Sequence, residues 1–133
     1  RSLDYFQNFS SSTWIERRAI IDEAFDDLRP KLEELSRSNK NANHIESEYS
    51  KIVLAKVTSE PNLRHSIDSL IEFYGGLLTC SRLQLCDEDT IDRSFATPAK
   101  TFFRQVHPYL YYLRQDWGDN SLGQELEQYA LAR

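Results

Sequence analysis

The stretch that decides the fold is residues 62–117, which reads NLRHSIDSLIEFYGGLLTCSRLQLCDEDTIDRSFATPAKTFFRQVHPYLYYLRQDW. Its apolar residues recur at the spacing of one face of an α-helix. The pattern predicts a long helix that ends near Cys86, followed by an acidic connector at residues 87–89. A short helix through Phe95 comes next, and Thr97 with the proline after it is typical of a new helix start. The second long helix carries a predicted core stripe, formed by Phe102, Phe103, Val106, Tyr109, Leu110, Leu113 and Trp117.

Helical spacing continues on both sides of this stretch. Upstream, it predicts a short N-terminal helix, a helix that begins at Thr13 and continues through a kink at Pro30, and a helix over residues 44–57. A polar loop is predicted over residues 36–43, and a last helix from Ser121. Because only four glycines and four prolines are present, an all-β fold with many tight turns is disfavoured. The sequence therefore predicts an all-α fold, a single-domain bundle of about five or six helices that spans the whole chain.

Length and charge bound the class of protein. A chain of 133 residues suits one domain with a buried core. The formal net charge of -5 disfavours nucleic acid as a partner, because phosphate binding depends on lysine and arginine. No apolar run reaches the roughly 18 residues of a membrane span. Since the chain contains no methionine, we expect a soluble fragment of a longer protein that lacks an upstream segment.

The cysteines and a glycine pair fall in the first long helix of this stretch. Cys80 and Cys86 match neither a CxxC redox motif nor paired zinc knuckles. A disulfide between them is possible in principle, but we expect two reduced, partly buried thiols, which favours a reducing, cytoplasmic compartment. Gly75 and Gly76 each lower helix propensity by about 1 kcal/mol relative to alanine. The pair predicts either a closely approaching helix or a bend.

Motifs that carry catalytic or metal-binding chemistry are scarce. The chain has no Gly-rich phosphate loop, no GxSxG and no HExxH motif. The acidic residues 87–92 lack the spacing of an EF-hand, and His44 with Glu48 supplies only two ligands. Neither a metal nor a cofactor is expected. Arg37 and His44 have a spacing similar to the Arg-x6-His motif of HEPN-class helical ribonucleases, which leaves a nuclease as an alternative.

A row of mostly basic residues lies nearly opposite the predicted core stripe. We refer to it as the basic row, and its members are Lys100, Arg104, His107, Tyr111 and Arg114. Such a row could bind an acidic partner, a phosphate or an anionic surface. The alternative is a solvated face, or one paired within the chain with acids such as Asp26, Asp27, Glu33 or Glu34. Within the same helix, Pro108 should free a backbone carbonyl near Arg104.

The order of features also carries a family resemblance. An apolar helix with LIEFY at residues 70–74 leads to LCDED at residues 85–89, and a helix from Phe102 to Arg114 follows. These features resemble a bacterial family known as domain of unknown function 4760. The LDYF segment at residues 3–6 is similar to the stretch that follows a transmembrane segment in many members. The resemblance implies a small helical domain at the inner face of a bacterial membrane or in a phage-related setting, with no established catalytic residues.

The prediction that results is a non-enzymatic helical interaction or regulatory domain. Its partner would be another protein or a second copy of the chain, and it would meet a membrane only through a missing N-terminal anchor. The basic row is the candidate partner-binding surface. Arg37 and His44 are the candidate catalytic pair of the alternative, a HEPN-like ribonuclease effector.

Overall fold

Six α-helices make up most of the part of the chain that the structure describes. The computed structural model describes residues 2–38 and 40–132, and no β-strand occurs in these ranges. The all-α prediction is confirmed. In chain order the helices are α1 (Ser2–Phe9), α2 (Ser12–Ser36), α3 (Ala42–Ser59), α4 (Pro61–Arg82), α5 (Glu88–Trp117) and α6 (Gln124–Ala132).

Helix α4 is the hub of the bundle and packs against α2, α3, α5 and α6. Its most deeply buried apolar side chains are Leu63, Ile67, Leu70, Tyr74 and Leu77. Helix α5 contributes a second set, namely Ile91, Phe95, Ala99, Phe102, Phe103, Val106, Tyr109 and Leu110. Because burying a large apolar side chain contributes about 1.5–3 kcal/mol, α4 and α5 supply most of the core energy.

The predicted helix start at Thr97 is wrong, because α5 runs without interruption from Glu88 to Trp117. Pro98 removes one backbone donor from the interior of the helix. However, Phe95, Ala99 and Phe102 lie around it and are all buried. These three residues pack into the core on one face of α5 and hold its backbone in one continuous helix. Tertiary contacts therefore outweigh the local helix-breaking tendency of the proline.

The core stripe of α5 is confirmed as far as Leu110, but its end is wrong. Leu113 is half-buried, and 68% of Trp117 is exposed. Helix α5 ends at Trp117, and the φ of 64° at the following Gly118 turns the chain out of the helix. The returning chain then covers Leu110 rather than Trp117.

The remaining helix boundaries differ from the predictions by a few residues. Helix α2 passes through Pro30 as predicted. Helix α3 begins at Ala42, where the Asn41 side chain accepts a hydrogen bond of 2.8 Å from the His44 amide. Helix α6 begins at Gln124 rather than Ser121, because the Asp119 carboxylate binds the Ser121 amide at 2.9 Å and holds a turn there.

The prediction of two reduced thiols is wrong, because a disulfide joins Cys80 to Cys86 with their Cα atoms 5.3 Å apart. The helix ends at Arg82, and Gln84 has a φ of 60° that turns the chain back. The amides of Leu85 and Cys86 consequently both donate to the Cys80 carbonyl, at 2.9 and 3.2 Å. Since disulfides persist in oxidising compartments, the thiol argument for a cytoplasmic location no longer holds.

No helix within residues 2–38 and 40–132 is both long and apolar enough to cross a bilayer.

Candidate functional site

Three members of the basic row are tied to acidic residues on neighbouring helices. His107 Nε2 lies 2.6 Å from the Glu46 carboxylate on α3. Arg114 lies 2.9 Å from the Glu127 carboxylate on α6, and the Tyr111 hydroxyl donates to the same carboxylate at 2.7 Å. Their acidic partners therefore come from α3 and α6 instead of α2.

The Arg114 side chain is well positioned by its surroundings. Only 13% of it is exposed, and its Nε donates to the Leu122 carbonyl at 2.6 Å. Burial, followed by the hydrogen bond to Glu127, raises the pKa of Tyr111 to about 12. Burial alone would raise the pKa of Glu127, but its bonds to Tyr111 and Arg114 outweigh this and lower it. These contacts fasten α6 to the end of α5.

The other two members of the basic row lie nearer the start of α5. Arg104 is exposed, and Lys100 is half-buried. The structure therefore places the row along one side of α5. A role for the row in partner binding stays a prediction.

Pro108 frees a backbone carbonyl, as predicted. It has no amide hydrogen, so the Arg104 carbonyl lacks its usual helical donor. The Tyr49 hydroxyl of α3 lies 3.0 Å from this carbonyl and 2.9 Å from that of Gln105, and donates to them. His107 Nδ1 lies 3.0 Å from the Arg104 carbonyl as well. Burial raises the pKa of Tyr49 to about 12, consistent with a protonated donor.

We expect Tyr49→Phe to lower the free energy of unfolding by about 1–2 kcal/mol, because it removes the hydroxyl that donates to the Gln105 carbonyl in a part-buried contact. Urea denaturation measures the change. Tyr112→Phe is the matched control, since 41% of Tyr112 is exposed, and it should change stability by less than about 0.5 kcal/mol. Equal effects of the two substitutions would contradict a structural role for the Tyr49 hydroxyl.

Arg37 and His44 lie on either side of the turn between α2 and α3. Arg37 ends α2, and its guanidinium lies 3.5 Å from Glu33 with 78% of its side chain exposed. His44 is half-buried in the first turn of α3, and its Nε2 is buried without a partner. Among the described residues, no hydrogen bond links the two side chains. Their catalytic role stays a prediction.

An open, largely apolar groove lies between α4, the end of α5 and the turn that leads into α6. Its volume is about 490 Å³, and we call it the Trp117 groove. Its apolar lining consists of Ile71, Leu113, Trp117 and Leu122, and its remaining lining residues are Asp68, Glu72, Gly75, Gly76, Thr79, Ser121, Gly123, Gln124 and Glu125.

The glycine pair of α4 forms an uncovered part of this groove. A Cβ atom at Gly75 would meet nothing within 4 Å, and one at Gly76 would meet only the Tyr5 hydroxyl at 3.2 Å. No helix of the described chain therefore approaches Gly75 closely, whereas Tyr5 of α1 does approach Gly76. The glycines instead leave the helix backbone accessible beside the exposed Trp117.

The rim of the Trp117 groove is acidic. Asp68 accepts a 2.7 Å hydrogen bond from Tyr109, and Glu125 lies 2.8 Å from Arg82. Glu72 is exposed, and it makes no ion pair within the described ranges. The Gly75–Gly76 pair is a signal of this site in the sequence, but the groove itself depends on how the α5–α6 turn packs.

Comparison with known proteins identifies a family for this fold. A family model described as Domain of unknown function (DUF4760) matches residues 1–132. The resemblance noted in residues 3–6 and 70–114 is therefore confirmed and extends over the chain. Searches of curated proteins and of solved structures gave no match.

Proposed function

The chain belongs to the DUF4760 family, and we propose that it is a non-enzymatic interaction module that binds a partner protein. The bound element is a short segment of the partner that carries an apolar side chain flanked by basic residues. The segment lies in the Trp117 groove, with its apolar side chain against Trp117 and its backbone close to Gly75.

The exposed Trp117 beside an uncovered Gly75 is the observation that carries this proposal. Tryptophan is the residue most enriched among binding hot spots, because it supplies a large rigid surface at low entropic cost. Here 68% of Trp117 is exposed, although it adjoins the half-buried Leu113 and Ile71. A contiguous apolar patch with a polar rim is typical of interaction sites.

Charge supports the choice of occupant. Asp68, Glu72 and Glu125 lie in the groove lining, and the whole chain has a formal net charge of -5. Lysine or arginine next to the apolar anchor would complement this rim and speed the encounter. An acidic segment would meet repulsion, so the rim discriminates between partners more than it adds affinity.

The proposal is tested by displaying random peptides and selecting them on the folded chain, with Gly75→Leu as the counter-selection target. We expect enrichment of peptides in which lysine or arginine flanks leucine, isoleucine, phenylalanine or tryptophan. For synthetic versions of the selected peptides, Trp117→Ala should weaken binding by roughly 30-fold, which is about 2 kcal/mol. Ile15→Ala is the control, because Ile15 is a 52% exposed apolar residue outside the groove.

The Gly75→Leu variant distinguishes a loss of peptide binding from a loss of the fold. Nothing lies within 4 Å of a Cβ at this position, and leucine favours a helix over glycine by roughly 0.5–1 kcal/mol. The variant should therefore be at least as stable as the original chain while it fills the groove and blocks the peptides. The proposal fails if the selected peptides bind Gly75→Leu unchanged, if acidic sequences are enriched, or if selection yields no peptide that depends on Trp117.

A further inference from the structure

A second, smaller cavity lies between α2, α4 and α5, on a different part of the bundle from the Trp117 groove. Its volume is about 240 Å³, and we call it the Tyr74 cavity. Buried apolar or aromatic side chains form its inner wall, namely Ile21, Leu70, Tyr74 and Phe102. Exposed polar residues, namely Asp22, Thr97 and Thr101, form its mouth, together with the half-buried Arg18 and Gln105.

Tyr74 brings an unpartnered polar group into this cavity. Only 1% of the residue is exposed, and its ring packs against Phe102 with centroids 5.4 Å apart. Its hydroxyl makes no hydrogen bond to any residue of the described ranges, so it is available to a ligand in the cavity. Burial raises the pKa of Tyr74 well above its usual value, so the hydroxyl is a proton donor at neutral pH.

Arg18 and Asp22 place opposite charges at the same cavity, one helical turn apart on α2. No ion pair joins them within the described part of the chain, although this spacing commonly allows one. The Arg18 guanidinium lies 3.6 Å from the centre of the Phe9 ring and donates to the Phe9 carbonyl. It is therefore already oriented before any ligand arrives. Burial raises the pKa of Asp22, with Asp26 adding to the effect and Arg18 opposing it.

We propose that the Tyr74 cavity binds a free α-amino acid with an apolar side chain. The Arg18 guanidinium and the Tyr74 hydroxyl donate to the ligand carboxylate, and the Asp22 carboxylate accepts from its ammonium group. The apolar side chain packs against the inner wall. This occupant gives the Tyr74 hydroxyl an acceptor and places an opposite charge beside both Arg18 and Asp22.

Size and charge together select this class of ligand. The volume of about 240 Å³ lies below the roughly 300–1,000 Å³ of sites for drug-sized molecules, so the occupant is small. A dianion would be repelled by Asp22, and an amine without a carboxylate would give Arg18 no opposite charge and the Tyr74 hydroxyl no acceptor. Only a zwitterion complements both charged groups.

The test is a titration of the intact chain with L-alanine, L-valine, L-leucine, L-isoleucine and L-phenylalanine, followed by the NMR signals of Tyr74 and Phe102. We expect saturable binding of at least one of them. For L-leucine, the comparison ligands are isocaproate, which lacks the ammonium group, and isoamylamine, which lacks the carboxylate. Each should bind at least about tenfold more weakly than the amino acid, because one charge-assisted contact is lost.

Two conservative variants test the assigned contacts. Asp22→Asn and Tyr74→Phe should each weaken amino-acid binding by about tenfold or more. Glu23→Gln is the matched control, since Glu23 is an exposed neighbour that does not line the cavity, and it should bind normally. Thermal unfolding of each variant confirms that the fold is retained, and Tyr74→Phe keeps the buried ring.

Several outcomes overturn the proposal. These are the absence of binding by all five amino acids, isocaproate or isoamylamine binding as tightly as L-leucine, and unchanged binding by both variants. The Gly75→Leu variant should still bind the amino acid, because Gly75 lines the Trp117 groove and not the Tyr74 cavity. The two proposals can therefore fail independently.

Discussion

Phe73→Ala should lower the free energy of unfolding by about 3–5 kcal/mol, the range for removal of a buried phenylalanine. Only 7% of Phe73 is exposed. Its ring contacts aromatic residues of four helices, with centroid distances between 4.9 and 6.1 Å to Tyr5, Phe9, Trp14, Tyr74 and Phe95. The substitution would leave a cavity in the middle of this cluster, and rings held by three other helices cannot readily close it.

The same substitution should release α1 from the bundle. Helix α1 has eight residues, which is too short for a stable isolated helix in water. Its contacts with Phe73 come from Tyr5 and Phe9, so loss of that ring removes much of its docking surface. Hydrogen exchange should therefore become faster in α1 than in α4 at denaturant concentrations well below the unfolding transition.

Chemical denaturation and hydrogen exchange measure these two effects. Phe73→Leu is the conservative control, because it retains most of the apolar volume and should cost less than half as much as alanine. Tyr112→Ala removes a largely exposed ring and should cost less than about 1 kcal/mol. A loss below about 1.5 kcal/mol for Phe73→Ala, or unchanged protection of α1, would contradict the central role of this ring.

The helices were predictable because their signals are local. Apolar residues at helical spacing over residues 63–78 indicated α4, and the polar residues before His44 indicated the break between α2 and α3. The proline at position 98 led to the wrong prediction of a new helix start for the same reason. A local sequence signal carries no information about the buried residues that surround the proline in the folded chain. Likewise, Cys80 and Cys86 meet only because Gln84 turns the chain back after α4.

The candidate sites were less predictable because they depend on how helices pack. The sequence placed His107 and Arg114 on one side of α5, but not their partners Glu46 and Glu127, which belong to α3 and α6. Trp117 has the spacing of a core residue, and only the path of the following turn leaves it exposed. Helical periodicity describes which face a residue occupies and cannot tell which faces another helix covers.

Gly123→Ala should lower the free energy of unfolding by about 2–4 kcal/mol, because two independent costs add. The residue has a φ of 67°, a left-handed conformation that disfavours side chains other than hydrogen. A Cβ atom there would also lie 2.6 and 2.8 Å from the two methyl carbons of Leu110. Leu110 is fully buried, so it can move away only by disturbing the core.

Alanine substitutions at two other glycines distinguish the backbone cost from the cost of the contact with Leu110. Equilibrium denaturation measures the free energy of unfolding of all three variants. Gly118 has a similar φ of 64° and open space around it, so Gly118→Ala should show the backbone cost alone, about 1 kcal/mol. Gly75→Ala has neither cost and should stabilise the chain by up to about 1 kcal/mol. The excess of Gly123→Ala over Gly118→Ala is then the energy of the contact with Leu110, and in the background of Leu110→Ala this excess should shrink. Equal losses at positions 118 and 123 would mean that α6 can shift away from Leu110, and the close packing that shapes one end of the Trp117 groove would be absent.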